Sequence, residues 1–230
     1  MKRKLTKTSQ EITNLTKAAQ LTTIAFQQII KKLKLKQFKT ENDIKRFLKE
    51  FAKQHHTKFS FPPIIATNKN TNKPHHKTSD QSLQKGFLLL DFGICYQNYC
   101  SDMTRMLYLG RPTKNELALY NFLLKIQIQA IKNLKVNQKF QEIETQTRKD
   151  LSKYNSHFIH SLGHGLGKRI HEAPNFRQPR YTIQTNQVFT IEPGLYFKKF
   201  GLRIEDTILM KQKPVILTKT TKKLLILPIP

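Results

Sequence analysis

The chain has 230 residues, with 41 Lys and Arg against 15 Asp and Glu and a formal net charge of +26 at pH 7. A hydrophobic content of 38%, 8 Gly and 10 Pro exclude a disordered tail and collagen-like or low-complexity classes. No apolar run approaches the roughly 20 residues of a membrane-spanning helix, and the basic start MKRKLTKTSQEITNL lacks the apolar core of a secretory signal.

In residues 9–34, Ile12, Leu15, Ala19, Ile24, Ile29, Ile30 and Leu33 recur at helical spacing. The lysines here, as elsewhere, are dispersed, and KKLKLK (31–36) is interrupted by leucines. The charge therefore predicts non-specific polyanion binding as a side effect, not a nucleic-acid-reading module. Thr40-Glu41-Asn42-Asp43 reads as the capped start of a second helix reaching about Lys53. Residues 57–86, with Pro62-Pro63, the Asn/Lys/Thr run 67–73, Pro74 and Gly86, read as irregular. Residues 87–94 and 99–109 read as strands of a hairpin turning at Gln97-Asn98. Cys95 and Cys100 lie near that turn; two cysteines make no disulfide framework and point to reduced thiols in the cytoplasm.

Thr113-Lys114-Asn115-Glu116 fits a capping box for a helix to about Leu134, and another helix is expected from about Gln138 to Tyr154. The Gly-rich SLGHGLG (161–167) is a loop or a closely packed strand. Strands follow at 187–197 and 202–210, joined across 198–201, with a last one at 214–218. The order helix, helix, hairpin thus occurs twice, which predicts an α+β fold with internal duplication in a single domain over residues 1–230.

Each hairpin carries two of the scarce carboxylates. With a two-residue turn, Asp91 faces Thr104, and Asp91 and Asp102 become diagonal neighbours on one face, roughly 7–8 Å apart at the backbone. With the second turn centred on Lys198-Lys199, Glu192 and Glu205 lie directly opposite each other. Two such pairs on buried strands would repel and raise their pKa values, a cost that divalent cations remove. His164, flanked by Gly163 and Gly165, supplies a nitrogen donor. Four carboxylates and an imidazole suit a two-metal site for Mn, Co, Zn or Fe better than a structural zinc site.

Taken in order, DFG…SDMTR (91–105), SLGHGLGKRIHEAP (161–174), FTIEPGLY (189–196) and GLRIEDT (201–207) resemble the pita-bread metallopeptidases. That group includes methionine aminopeptidase, aminopeptidase P, prolidase and the non-peptidase creatinase. The resemblance implies the pita-bread fold: a pseudo-twofold pair of helix–helix–hairpin units on a curved antiparallel sheet. It implies that Asp91 binds one metal, that Asp102 and Glu205 bridge both, and that His164 and Glu192 complete the other, with Mn or Co the foremost expectation. By the same resemblance Glu192 accepts and returns a proton beside a metal-bridging hydroxide, His171 contacts the substrate carbonyl, and His75, directly after Pro74, interacts near the scissile amide. His76 is its adjacent competitor. Tyr196 and Arg203 are implied partners of the metal ligands.

DMTR, EPGLY and LRIED are similar to aminopeptidase P and prolidase, which implies hydrolysis of the N-terminal Xaa-Pro bond of a peptide substrate. The chain is expected to be a catalytic domain without those enzymes' N-terminal domain, and a homodimer is a further expectation. The alternatives are a methionine-aminopeptidase-like processing enzyme and a non-catalytic protein that binds polyanions or proteins. The complete set of five metal ligands argues against the last.

Overall fold

The computed structural model describes residues 5–230. Two capped helices open the chain. In α1 (Ser9–Lys34), Thr8 accepts from the Glu11 amide and the Glu11 carboxylate accepts from Thr8. In α2 (Glu41–Gln54), Thr40 and Asp43 make the same reciprocal pair. Both boxes satisfy amides that a helix start otherwise leaves without partners. A first group of strands follows: β1 (Lys58–Phe59), β2 (Ile64–Thr67), β3 (Gly86–Phe92), β4 (Ile94–Tyr96), β5 (Tyr99–Cys100) and β6 (Met103–Leu109).

The second half repeats the order. α3 (Lys114–Lys132) is boxed by Thr113 and Glu116, and α4 (Phe140–Leu151) passes into a 3-10 turn at Ser152–His157. Then come β7 (His164–Gly165), β8 (Glu172–Asn175), β9 (Val188–Ile191), β10 (Gly194–Tyr196), β11 (Gly201–Arg203), β12 (Asp206–Met210), β13 (Pro214–Ile216) and β14 (Leu225–Leu227). The main sheets have the orders β14-β6-β3-β2 and β13-β12-β9-β7-β8, and β1-β4-β5 and β10-β11 form two small ones. All their pairings are antiparallel except β14 on β6.

Both hairpin registers follow the sequence reading. The first pairs Asp91 with Thr104 and Tyr96 with Tyr99, and turns on Gln97 and Asn98 at φ of 49° and 63°. Left-handed backbone at both turn positions matches the twist of the flanking strands. The second pairs Ile191 with Asp206 and Gly194 with Arg203, which leaves Glu192 and Glu205 at opposed positions in the same register.

Several elements depart from the reading, among them the short strands β1 and β8, which it did not include. Residues 57–86 are not wholly irregular: Ile64–Thr67 pair with β3 and are buried throughout. A four-residue strand covered on both faces shows no alternation, and its flanking prolines masked it. Helix α4 stops at Leu151, short of Tyr154, where Ser152 takes a φ of 51°. Leu225–Leu227 add a parallel edge strand that no local pattern announces.

Side-chain alternation places the chemistry. Phe87 and Leu89 of β3, with Met106 and Tyr108 of β6, join a core shared with Phe189, Ile191, Leu202 and Ile208 of the second half. Leu88, Leu90, Leu107 and Leu109 point the other way, into a core with Phe26, Ile29, Leu48 and Phe51 of α1 and α2. Asp91, two residues beyond Leu89, therefore lies on the face turned toward the second half. Cys95 and Cys100 are buried, free thiols opposite each other on β4 and β5. No described helix is long and apolar enough to cross a membrane.

Candidate metal centre and cleft

Gly163 and Gly165 let His164 sit between neighbouring strands. A Cβ at Gly163 would lie 2.0 Å from the Thr190 carbonyl oxygen, and one at Gly165 would lie 2.2 Å from that of Ala173. Only a residue without a side chain permits that approach. The His164 amide donates to Thr190 Oγ1 at 3.1 Å, and that hydroxyl donates to Glu192 Oε1 at 3.2 Å. His164 Nε2 lies 3.4 Å from Glu192 Oε1 and 3.6 Å from Asp102 Oδ2. Ligand atoms of Asp102, His164 and Glu205 all lie within 4.8 Å of one another.

The halves of the fold are stitched together at this point. The Glu205 amide donates to the Thr104 carbonyl at 3.2 Å. The Asp102 amide donates to Thr207 Oγ1 at 3.2 Å, and that hydroxyl donates back to the Asp102 carbonyl at 2.8 Å. One guanidinium links the carboxylates. Arg203 donates from Nη2 to Asp91 Oδ2 at 2.5 Å, from Nη1 to the Tyr196 hydroxyl at 2.7 Å, and from Nε to Thr104 Oγ1 at 3.1 Å. Thr104 in turn donates to Glu205 Oε2 at 2.7 Å.

Burial dominates the electrostatics. It pushes Asp91 up to about 7 against the pull of Arg203, with the Asp102 charge adding to the rise. Burial likewise lifts Glu192 to about 7, although His164 and Arg203 oppose it. Glu205 is carried well above the carboxylate range by burial and by its neighbours Asp102, Glu192 and Asp91. At His164 burial disfavours the cation, but the nearby carboxylates of Asp102 and Glu192 overcome it, and the ring rises to about 9. The three raised carboxylates want a positive charge between them, which His164 supplies in part while it is protonated.

The donor set also fits divalent cations in its chemistry. Asp91 Oδ1 and Asp102 Oδ1 are buried and have no hydrogen-bond partner among the described residues. Buried carboxylate oxygens without donors are costly unless a cation faces them. Oxygen-rich surroundings with one imidazole suit Mn, Co, Zn or Fe rather than a thiolate-type structural ion.

His75, His160 and His171 line a cleft of about 1080 Å³ together with Asp91, Asp102, His164, Glu192, Arg203 and Glu205. His75 and His171 are exposed there. The His171 ring centroid lies 4.3 Å from that of His164, and partial desolvation within the cleft and the His164 charge hold its pKa below the usual histidine value. His76 turns to the buried carboxylate of Glu41, with Nε2 2.7 Å from Oε2.

His160 belongs to this cluster and was not read from the sequence. Its Nε2 lies 2.9 Å from the Tyr196 hydroxyl, and its Nδ1 is 2.8 Å from the Ser161 carbonyl. Burial and the Arg203 charge lower its pKa to about 3. Arg203 donates to the Tyr196 oxygen, so the Tyr196 proton is free for a neutral His160 to accept. The spacing His160–x–x–x–His164 was the available signal. A second omission is Thr190, whose hydroxyl aligns both His164 and Glu192.

The model of metallopeptidase family M24 matches residues 13–212. A Xaa-Pro dipeptidase of Pyrococcus furiosus is 33% identical over 229 residues, covering 96% of this chain and 65% of the relative. The solved structure of a Xaa-Pro dipeptidase from Bacillus anthracis superposes with a TM-score of 0.90 at 33% identity, over 97% of this chain and 64% of that one. That of an X-Pro aminopeptidase from Thermotoga maritima gives 0.89 at 30% identity, over 97% and 65%. The chain thus spans a little under two thirds of the length of these relatives.

Proposed function

The chain belongs to metallopeptidase family M24, and from that premise we propose that it is a metal-dependent exopeptidase hydrolysing the N-terminal Xaa-Pro bond of peptides. The observation that carries the reading is the convergence of Asp102, His164 and Glu205, with Glu192 beside them, in a histidine-rich cleft. Residues 1–230 are read as one catalytic domain. We assign Asp91, Asp102, His164, Glu192 and Glu205 as ligands of two divalent ions, with Mn or Co the foremost candidates. When bound, the ions supply Lewis-acid polarisation of the scissile carbonyl and a water activated near neutral pH.

The chain's own groups do the rest. Glu192 accepts and returns a proton at its carboxylate. His171 and His75 present ring N–H groups to the substrate carbonyl and the region of the scissile amide. Arg203 and Tyr196 hold Asp91 and His160 in place. Two buried free thiols support a cytoplasmic setting.

The test is a substrate panel on the purified protein with Mn or Co. Xaa-Pro peptides should be cleaved faster than Met-Ala peptides, and a Met-Ala preference would favour the methionine-aminopeptidase reading. Asp102→Ala should lose activity and metal stoichiometry together. Full activity in that variant would sink the two-ion assignment.

A further inference from the structure

Glu41 is fully buried at the first turn of α2, yet it touches no residue of the metal cluster. Its carboxylate collects five hydrogen bonds from one stretch of chain. Oε1 accepts from the Thr67 amide and Asn70 Nδ2, each at 2.9 Å. Oε2 accepts from His76 Nε2 at 2.7 Å, from Ser79 Oγ at 3.0 Å and from the Ser79 amide at 3.1 Å. That stretch is the connection from β2 to β3, and it carries His75.

The connection is held by polar contacts: Thr71 accepts from the Gly201 amide, Thr78 bridges the Ile65 amide and the Pro63 carbonyl, and the Ser79 carbonyl accepts from the Asn42 amide. Between Thr67 and Leu83 only Thr71 is buried, so apolar packing does not fix its course. His75 sits between two polar anchors. On one side the Pro74 carbonyl accepts from Arg203 Nη1 at 3.3 Å, which ties the segment to the metal site. On the other side His76 is bound to Glu41. We propose that Glu41 is a positioning residue: through His76 and Ser79 it fixes the 73–79 segment so that His75 faces the cleft.

The second half of the fold contains a matching device. Glu144, buried on α4, accepts from Ser161 Oγ at 3.0 Å and from the Leu162 amide at 3.3 Å. It also holds Arg148, which donates to the His160 carbonyl at 2.7 Å. In each half, the second helix sends a buried glutamate into the segment that delivers a cleft histidine. A carboxylate suits this task because it accepts only, and every group facing Glu41 is a donor. Glutamine at position 41 would turn an NH2 group toward those donors.

The proposal rests on the catalytic reading of His75, and a double-mutant cycle separates the two. Glu41→Gln should lower kcat about tenfold or more, with KM within about twofold and metal content unchanged, since displacement of about 1 Å costs up to two orders of magnitude. Glu41→Gln combined with His75→Ala should be no slower than His75→Ala alone. If His75→Ala is impaired and the double variant falls by the product of the two effects, Glu41 does not act through His75 and the proposal is overturned. Undiminished turnover in His75→Ala would overturn the reading of His75 and the proposal with it. Amide hydrogen exchange gives an answer independent of activity: Glu41→Gln should speed exchange within residues 67–79 alone, and uniform acceleration across the chain would overturn it. If Glu41→Gln does not fold, His76→Ala takes its place in the same cycle, with the same outcomes.

Discussion

Arg203 and Asp91 come from opposite halves of the duplicated fold and meet at 2.5 Å, both almost wholly shielded from water. The guanidinium also serves Tyr196, Thr104 and the Pro74 carbonyl, so it organises four partners at once. Arg203→Met should therefore cost about 3–5 kcal/mol in chemical denaturation, the range for removing one partner of a buried pair. Arg203→Lys should restore little, because an ammonium group cannot reproduce the planar fork. Near-native stability in Arg203→Met would contradict the pairing.

The metal-free protein should lose stability as pH rises from about 6.5 to 8. Asp91 and Glu192 sit near 7 in the folded chain, far above their unfolded values, so the folded state holds protons that the unfolded state has released. The stability that a raised carboxylate holds at low pH is lost as pH climbs from its unfolded value to its folded pKa, so the carboxylate part of the slope ends just above pH 7. His164, raised to about 9, has the same slope: its stabilisation is complete below the unfolded histidine value and fades as pH climbs toward 9. His160 and His171, both lowered, are neutral in folded and unfolded chains across most of this window and contribute little slope there. Thermal unfolding in chelator at several pH values measures the slope. Added Mn should flatten or reverse it, because ligands must shed protons to bind metal.

His160→Ala should leave metal content intact and lower kcat about 10- to 100-fold, the range for losing a group that orients a metal ligand's surroundings. The ring faces Tyr196 at 2.9 Å and sits with Nδ1 3.8 Å from Glu192 Oε2, without membership of the ligand cluster. Metal analysis and steady-state kinetics on the same preparation check both halves of the statement.

Gly163→Ala should destabilise by about 1–3 kcal/mol or more, as overpacking does. Its Cβ would meet the Thr190 carbonyl oxygen at 2.0 Å, and the backbone must move to relieve this. The same movement would draw His164 from Thr190 Oγ1, so metal affinity should fall alongside the melting temperature. An alanine variant with both values unchanged would refute the close approach.

Capping residues, turn residues and alternation are local, and they were legible. Thr40 with Asp43 and Thr113 with Glu116 mark two of the helix starts, and Gln97-Asn98 sets a register that brings Asp91 opposite Thr104. β2 and β14 were not legible, because a short strand acquires its identity from the strand it joins: Ile64–Thr67 from β3, Leu225–Leu227 from β6. His160, Glu41 and Glu144 were missed for a related reason. Their roles depend on distant partners such as Tyr196, Ser79 and Ser161, which no periodicity connects to them.

By itself the sequence determined which atoms are available: four carboxylates on two hairpins, spaced so that each pair shares a face of its own strand pair, and an imidazole in the Gly-rich segment between them. That information is local, because hairpin register follows from turn length and the two-residue repeat of a strand. Only the tertiary structure decided that the two hairpins meet. The long-range bonds of Thr104, Thr207 and Arg203 bring them together, and burial at the junction raises Asp91, Glu192 and Glu205. In a chain of net charge +26, it is desolvation at that junction that leaves a small group of acids in want of a cation.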